Sequence, residues 1–337
     1  MQVIKYLLFQ ILLFLCLSSF SQTFKSDSVK SFLDNSINLI RSNAVDTTNI
    51  NLIESILYSK AKNLDTVSDL APLYTEVFRL LRDHHGSLKY KDRTYGWDKA
   101  ERPENTYVKG RLKTEKAVVS QIIDRTTAYL RIPGNHDFAF KKVDSIANDI
   151  TAHINKVSTA KIKAWIIDLR TNTGGNMYPI FLGLQEFIGD NMVFGGFRNA
   201  QGLSSGQWEI RDGNMRIDGI KLLRQVQLKK PLKKDIPLII LTSCYTASAG
   251  EMTAISLIGR KNTYIVGEPT ADYTTAVQGF TISKEAGINL STDYVVDRNS
   301  KIYTRNILPD VEVLQGDNFE NLKRDKKILK ALELLNK

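Results

Sequence analysis

Residues 236–252 read IPLIILTSCYTASAGEM, an apolar run followed by a cluster of small residues and then by Ala-Gly-Glu. The apolar run has the length of a buried strand. Ser248 stands directly before a segment whose pattern predicts a helix that ends at Gly259. A strand that leads straight into a helix is the repeating unit of α/β proteins. The stretch therefore indicates an α/β fold, and it raises the question of what Ser248 does.

Ser248 has two interpretations on this stretch alone. Serine is a common helix N-cap, and Ser248 with Glu251 three residues later fits a capping box. The alternative is a nucleophile, because the N–H groups and the dipole at a helix start favour negative charge. The N–H of Ala249 would then face a developing oxyanion, as the residue after the nucleophile does in many acyl-transfer enzymes. Taken alone, the motif favours the cap.

A second stretch, residues 165–180, reads WIIDLRTNTGGNMYPI and has the same order of strand, turn and helix. Gly174 and Gly175 lie between the two elements. Paired glycines let the backbone approach a ligand closely and point N–H groups outward. They are the candidates for the other half of an oxyanion hole, and the alternative is an ordinary tight turn.

A nucleophilic serine needs a base, and histidine is the usual one. The segment LLRDHHGSL, residues 80–88, contains His84 and His85 at the predicted end of a helix. The alternative is a pair of exposed polar residues at a helix C-terminus, where a charged histidine is favourable. No spacing of His and Glu predicts a metal site, so we expect no metal and no other cofactor.

The chain divides into three segments that differ in their hydrophobic periodicity. Residues 22–88 have helical periodicity, which predicts a small helical N-terminal domain. Residues 89–116 are polar, charged and nearly aperiodic, which indicates an exposed linker or lid, with a hairpin insert as the alternative. Residues 117–337 alternate strand-like and helix-like segments and are expected to form a core with a largely parallel sheet.

The first 21 residues have the layout of a secretory signal: Lys5, an apolar run over residues 6–17, and small residues before a predicted cut after Ser21. A membrane anchor is the alternative, but the run is short for a span. Cleavage would leave Cys244 as the only cysteine, so no intramolecular disulfide is expected. We predict an exported protein, periplasmic or secreted at a bacterial envelope, without a stable membrane anchor.

Composition and charge limit the class of protein and the partners that are expected. The 337 residues are 42% hydrophobic and 24% charged, which is ordinary for a soluble protein with a large core. The formal net charge is +10, but the basic residues are dispersed and no basic stripe is interleaved with aromatic residues. Nucleic acid is therefore not an expected partner.

Six segments in this order resemble the tail-specific (C-terminal processing) serine peptidases, and more closely the branch around the tricorn core protease. They are LLRDHHGSL, TAYLRIP, AWIIDLRTNTGG, TSCYTASAGE, YIVGEPT and ILPDVEV. The resemblance spans about residues 70–315 and implies a spiral α/β core like those of ClpP and crotonase. It also implies a peptide or protein substrate.

The resemblance implies roles for particular residues. Ser248 matches the nucleophile, and Gly174 or Gly175 with Ala249 matches the oxyanion donors. His85 matches a histidine in a family stretch similar to Asp-x-His-Ser, although the adjacent His84 leaves the position open by one residue.

Two positions depart from the family pattern. Tyr273 stands where relatives with a Ser–Lys dyad carry lysine, which assigns the base to histidine. The segment before Pro309-Asp310 lacks the glutamate that orients the histidine in tricorn-type enzymes, so Asp297 is the fallback. The segment between residues 88 and 117 also has no room for the PDZ domain of many relatives, so recognition of a defined C-terminal tail is not expected.

These observations predict an exported serine peptidase, with Ser248 as nucleophile and His85 as base. The alternative is a binding protein for a peptide or another ligand on the same fold, with an inactive site. An acyl-CoA enzyme of the crotonase type is a third hypothesis, which export disfavours. The sequence does not predict the oligomeric state.

Overall fold

The computed structural model describes residues 24–98, 104–223 and 226–336, and the predicted signal segment lies outside them. Contacts divide the chain into two compact units. The first holds residues 24–42, 47–97 and 279–289, and the second holds 43–46, 98–278 and 290–336.

The first unit is mainly helical. Its helices are α1 (Asp27–Asn43), α2 (Ile50–Ala61), α3 (Val67–Leu70) and α4 (Tyr74–Leu80), with a 3₁₀ turn at Ala71–Leu73. Five apolar residues that recur at helical spacing along α1 are all buried: Val29, Phe32, Leu33, Ile37 and Ile40. The periodicity of this segment therefore marked both the helix and its buried face.

Residues 89–116 contain regular secondary structure, which fits the alternative of a hairpin insert better than an aperiodic segment, and their role as a linker or lid stays a prediction. The segment contains most of a hairpin, β1 (Ser87–Tyr90) and β2 (Arg93–Gly96), and a helix, α5 (Thr106–Arg111). Strand β1 buries only Leu88 completely. Strands of four residues with one buried side chain are too short to give a period, which explains why the pattern was not recognisable.

The remaining elements belong to the second unit, except that parts of two strands, Thr275–Ser283 and Ala286–Asp297, are among the residues of the first unit. In chain order they are β3 (Val119–Ile122), β4 (Thr127–Arg131), α6 (Val143–Val157), β5 (Ala164–Asp168), α7 (Tyr178–Gly183), α8 (Gln185–Ile188), β6 (Met192–Arg198), β7 (Ser204–Arg211), β8 (Asn214–Ile217), β9 (Ile220–Leu222), β10 (Leu238–Thr242), α9 (Ala249–Leu257), β11 (Thr263–Gly267), β12 (Thr275–Ser283), β13 (Ala286–Asp297), β14 (Ile302–Tyr303), β15 (Val311–Glu312) and α10 (Lys326–Leu335).

Six strands of this unit form one sheet in the order β15-β11-β10-β5-β4-β3. All neighbours are parallel except β3 and β4. Strands β10 and β5 lie side by side, with Leu241 opposite Asp168, and every residue of both strands is buried. Because their carboxyl ends share one edge of the sheet, the turns that follow them meet there.

The faces of this sheet are covered by helices and by an antiparallel ribbon. All nine residues of α9 are buried, and its three polar side chains, Glu251, Thr253 and Ser256, all make hydrogen bonds. Strands β6 to β9 pair in sequence, with Asp-Gly at the turn from β7 to β8 and at the turn from β8 to β9. The aromatic core between these layers contains Trp165, Phe181, Phe187, Phe194 and Trp208. The observed architecture is a mixed α/β protein, in agreement with the predicted class.

A buried ionic network lies beneath the end of β5. The guanidinium of Arg170 donates to Asp168 (2.7 Å), Asp317 (2.7 Å) and Asp325 (2.6 Å), and all four side chains are fully buried or nearly so. Burial alone would raise the pKa of Asp168, but the adjacent guanidinium outweighs burial and the net pKa is lowered. Lys327 extends the network, since its ammonium lies 2.8 Å from Asp317.

Replacing Arg170 should be costly for stability. In Arg170→Met three buried carboxylates lose their common partner, and we expect unfolding free energy to fall by about 3–5 kcal/mol. Urea denaturation measures this change. The control is Arg79→Met, because Arg79 pairs with Glu76 on the solvent side of α4, where water and salt screen the pair and its loss should change stability far less. Equal stabilities of the two variants would contradict the prediction.

Candidate active site

Ser248 occupies a sharp turn between β10 and α9. Its backbone has φ 51° and ψ −115°. A helix N-cap normally has extended dihedrals, and a positive φ is uncommon for a residue with a side chain. A strained serine between a strand and a helix is the local geometry of nucleophile elbows, in which the turn exposes the hydroxyl. The dihedrals of Ser248 are therefore those of a nucleophile turn more than those of an ordinary cap.

The buried carboxylate of Glu251 holds this turn. Its Oε2 accepts the N–H of Ser248 (2.9 Å) and the N–H of Tyr273 (2.8 Å). Its Oε1 accepts the N–H of Asp272 (3.1 Å) and the hydroxyl of Thr270 (2.5 Å). Glu251 is completely buried. One side chain thus connects the serine turn to the loop over residues 270–273, where the Lys of Ser–Lys relatives would lie.

The glycine turn after β5 lies against Ser248. A Cβ atom built on Gly174 would be 3.0 Å from the Ser248 Cβ and 3.5 Å from its Oγ. Gly174 and Gly175 have φ of 107° and 115°, which residues with side chains rarely adopt. The structure therefore brings the predicted glycine pair to the predicted serine.

The two glycines differ in whether their N–H groups are hydrogen-bonded. The N–H of Gly174 donates to the Asn172 side chain (3.1 Å). The N–H groups of Gly175 and Ala249 have no hydrogen-bond acceptor within residues 24–98, 104–223 and 226–336. Ala249 is the first residue of α9, where a backbone N–H has no partner inside the helix. Gly175 and Ala249 are therefore the better candidates for oxyanion donors.

Asn172 is a positioning residue that the sequence reasoning did not assign. It is completely buried. Its carbonyl accepts the N–H of Ala247 (3.0 Å), and its side-chain oxygen accepts that of Gly174. Asn172 thus fixes the serine turn and the glycine turn at once. Its place between an Asp-Leu-Arg strand end and a glycine pair is the one sequence signal that pointed to it.

The two candidate histidines lie in the first unit, in the turn after α4. The carboxylate of Asp83 accepts the N–H of His85 (3.1 Å) and that of Gly86 (2.8 Å), which fixes this turn. The ring of His84 contacts that of Trp97 edge to face, with centroids 5.9 Å apart. The pairing of either histidine with Ser248 stays a prediction.

Asp297, the fallback for orienting the histidine, ends strand β13. One oxygen accepts the N–H groups of Asn299 (2.8 Å) and Lys301 (3.0 Å), and the other accepts the hydroxyl of Tyr303 (3.0 Å). These contacts shape the turn between β13 and β14 and account for both of its oxygens. The role at the histidine stays untested.

Comparison with known proteins agrees with this geometry. The profile of peptidase family S41 matches residues 126–313, more than half of the chain. The chain belongs to peptidase family S41. It is accordingly a serine-type peptidase, as the motifs predicted, and its substrates are peptides or proteins.

Individual relatives share a quarter or less of their residues with this chain. The nisin-resistance protein of Lactococcus lactis subsp. lactis is 25% identical over 256 residues, which cover 75% of this chain and 72% of that protein. A lipoprotein from Streptococcus agalactiae superposes with a TM-score of 0.61 at 20% identity, covering 91% of this chain and 98% of that one. The photosystem II D1 C-terminal processing protease gives 0.58 at 13% identity, covering 86% and 93%. These two structures share the fold of this S41 member.

The backbone of Gly175 leaves no space for a side chain. A Cβ atom there would lie 1.6 Å from the carbonyl oxygen of Asn135, so Gly175→Ala must move the turn or the neighbouring loop. We expect a loss of peptidase activity of at least about tenfold, together with lower stability. Thermal unfolding and peptide hydrolysis measure the two effects. Gly110→Ala is the control, because its Cβ would meet no atom within 4 Å; unchanged activity in Gly175→Ala would contradict the prediction.

The stability of the protein should depend on pH through Glu251. Burial raises the pKa of Glu251 from 4.5 to about 7, against the opposing effect of its hydrogen bonds. The folded state therefore binds this proton more tightly than the unfolded chain, and the stabilisation is complete below pH 4.5 and lost as the pH rises through 7.

Between pH 4.5 and 8, we expect the wild type to lose roughly 3 kcal/mol of unfolding free energy relative to Glu251→Gln, which cannot titrate. Urea denaturation across this range measures the difference. Glu76→Gln is the control, because the pKa of the exposed Glu76 is lowered and not raised. Parallel pH profiles of the wild type and Glu251→Gln would refute the assignment.

Proposed function

We propose that this chain is an exported peptidase in which Ser248 is the nucleophile and His85 the base. The observation that carries the proposal is the Ser248 backbone, held at positive φ between a strand and a helix and placed against Gly174. Strain of this kind at a residue with a side chain is typical of catalytic positions.

The proposed reaction has two stages, acylation of Ser248 and hydrolysis of the acyl-enzyme. The Ser248 hydroxyl attacks the peptide carbonyl while His85 accepts its proton, and the N–H groups of Gly175 and Ala249 stabilise the oxyanion. The C–N bond breaks as His85 returns the proton to the leaving amine, which leaves an acyl ester on Ser248. Water, deprotonated by His85, then hydrolyses this ester.

Three finer assignments belong to the same proposal. The parallel sheet with repeated strand–turn–helix units supports a ClpP- or crotonase-like spiral core. The proposed domains are the signal peptide (residues 1–21), a helical N-terminal domain (22–88), a connecting segment (89–116) and the peptidase core (117–337). The layout of the first 21 residues supports export to a cell envelope or beyond. Within the described residues, no helix has the length and apolar content needed to cross a membrane.

A serine-directed fluorophosphonate and casein hydrolysis test the proposal. We expect the wild type to be labelled and active, and Ser248→Ala to be neither. His85→Ala should lower the rates of labelling and hydrolysis by about 10²–10⁴-fold, because the serine loses its general base. His153→Ala is the matched control, since His153 lies on α6 and pairs with Ser120.

Other results would change the assignment. A larger loss in His84→Ala than in His85→Ala would move the base by one residue. Labelling that persists in Ser248→Ala would remove the serine from the mechanism. A wild type that is neither labelled nor active would favour the alternative of a binding protein with an inactive site.

A further inference from the structure

The loop after β4, residues 133–142, is fastened to the glycine turn. The N–H of Asn135 donates to the carbonyl of Gly174 (3.0 Å), and the Asn135 side chain exchanges hydrogen bonds with the backbone of Asn176 at 3.1 and 2.8 Å. The buried carboxylate of Asp137 accepts the N–H groups of Lys141 and Lys142, each at 2.8 Å. The backbone of this loop is therefore fixed at both ends.

The same loop exposes two large apolar side chains to solvent. Phe138 is 71% exposed and Phe140 is 57% exposed. The Phe140 ring lies 5.2 Å from that of Tyr178, and the Phe138 ring lies 6.2 Å from that of His136. We call these four side chains the aromatic patch. Burying a phenyl ring is worth about 1.5–3 kcal/mol, so a fixed loop that exposes two of them indicates a binding surface.

The loop that carries the aromatic patch is hydrogen-bonded to the glycine turn of the candidate active site. Gly174 contacts both Ser248 and Asn135, and Phe138 follows Asn135 by three residues. An extended chain advances at most about 3.3–3.6 Å per residue, so Phe138 lies within roughly 20 Å of the serine. A peptide whose carbonyl lies at Ser248 would therefore reach Phe138 with a side chain within about five residues of the cleaved bond.

We propose that the aromatic patch binds an apolar or aromatic side chain of the peptide substrate, and that Phe138 and Phe140 determine specificity at that position. The inference rests on the proposed function of Ser248. Edge-to-face contact with an aromatic side chain would add to the stabilisation from burial, because aromatic rings attract one another in this arrangement. The substrate favoured by this site is a peptide with one aromatic residue a few positions from the cleaved bond.

The test uses the full mature chain and pairs of peptides that carry Phe or Ser at each of five positions on either side of the cleaved bond. The variant is Phe138→Ser/Phe140→Ser. The matched control is Leu203→Ser/Leu314→Ser, which removes two side chains that are 64% and 61% exposed elsewhere in the second unit. The readouts are kcat/KM for each peptide and the rate of fluorophosphonate labelling.

We expect the wild type and the leucine variant to prefer Phe at one position by tenfold or more in kcat/KM. The phenylalanine variant should lose most of this preference, while hydrolysis of the Ser peptides and labelling stay within about twofold. A preference that persists in the phenylalanine variant would overturn the proposal. So would an equal loss for Phe and Ser peptides, or a change of oligomeric state in light scattering, which would show that the patch contacts a second copy.

A measurement of peptide binding tests the role of the aromatic patch independently of the proposed catalysis by Ser248. Fluorescence anisotropy of the same peptides, measured on Ser248→Ala with and without the two phenylalanine substitutions, needs no turnover. If the wild type is neither labelled nor active, catalysis by Ser248 fails. Tighter binding of Phe peptides that depends on Phe138 and Phe140 would still support the patch, and equal affinities for Phe and Ser peptides would reject it.

Discussion

The candidate site depends on the close approach of two turns at one edge of a parallel sheet. Strands β5 and β10 are neighbours, so the glycine turn and the serine turn start side by side. A Cβ atom on Gly250 would lie 2.5 Å from the carbonyl oxygen of Asn172, and one on Gly174 would lie 3.0 Å from the Ser248 Cβ. Glycine at these positions is therefore a packing requirement, and it permits the close contact between the glycine turn and Ser248.

Two kinds of buried polar group stabilise this contact. Glu251 and Asn172 act at short range, because each accepts backbone N–H groups from two different turns. The ionic network around Arg170 acts at longer range, because it fixes the end of β5, where the glycine turn begins. Buried charges are favourable only when all partners are present, so this arrangement is sensitive to the loss of any one of them.

Some of the site was recognisable from local patterns, and some was not. Ser248, Glu251 and the glycine pair lie in short segments whose strand, turn and helix signals were clear. Asn172 was not assigned, because its contacts reach Ala247, which is 75 residues away in the sequence. For residues 89–116 the sequence left a linker and a hairpin insert as alternatives, because strands of four residues give no measurable period. The exposure of Phe138 and Phe140 had no signal at all, since phenylalanine in a short loop is ordinarily expected to be buried.

The sequence by itself determined the α/β class, the parallel core strands, the helical N-terminal segment and the family. These follow from apolar periodicity and from short motifs, which are local properties of the chain. Only the tertiary structure decided that the N–H of Gly174 is already hydrogen-bonded and that Glu251 joins Ser248 to the 270–273 loop. It also decided that the N–H groups of Gly175 and Ala249 have no acceptor in the part of the chain that the structure describes. The reason is physical: which donor is free and which carboxylate is buried depend on neighbours that are distant in sequence and are brought together by the order of strands in the sheet.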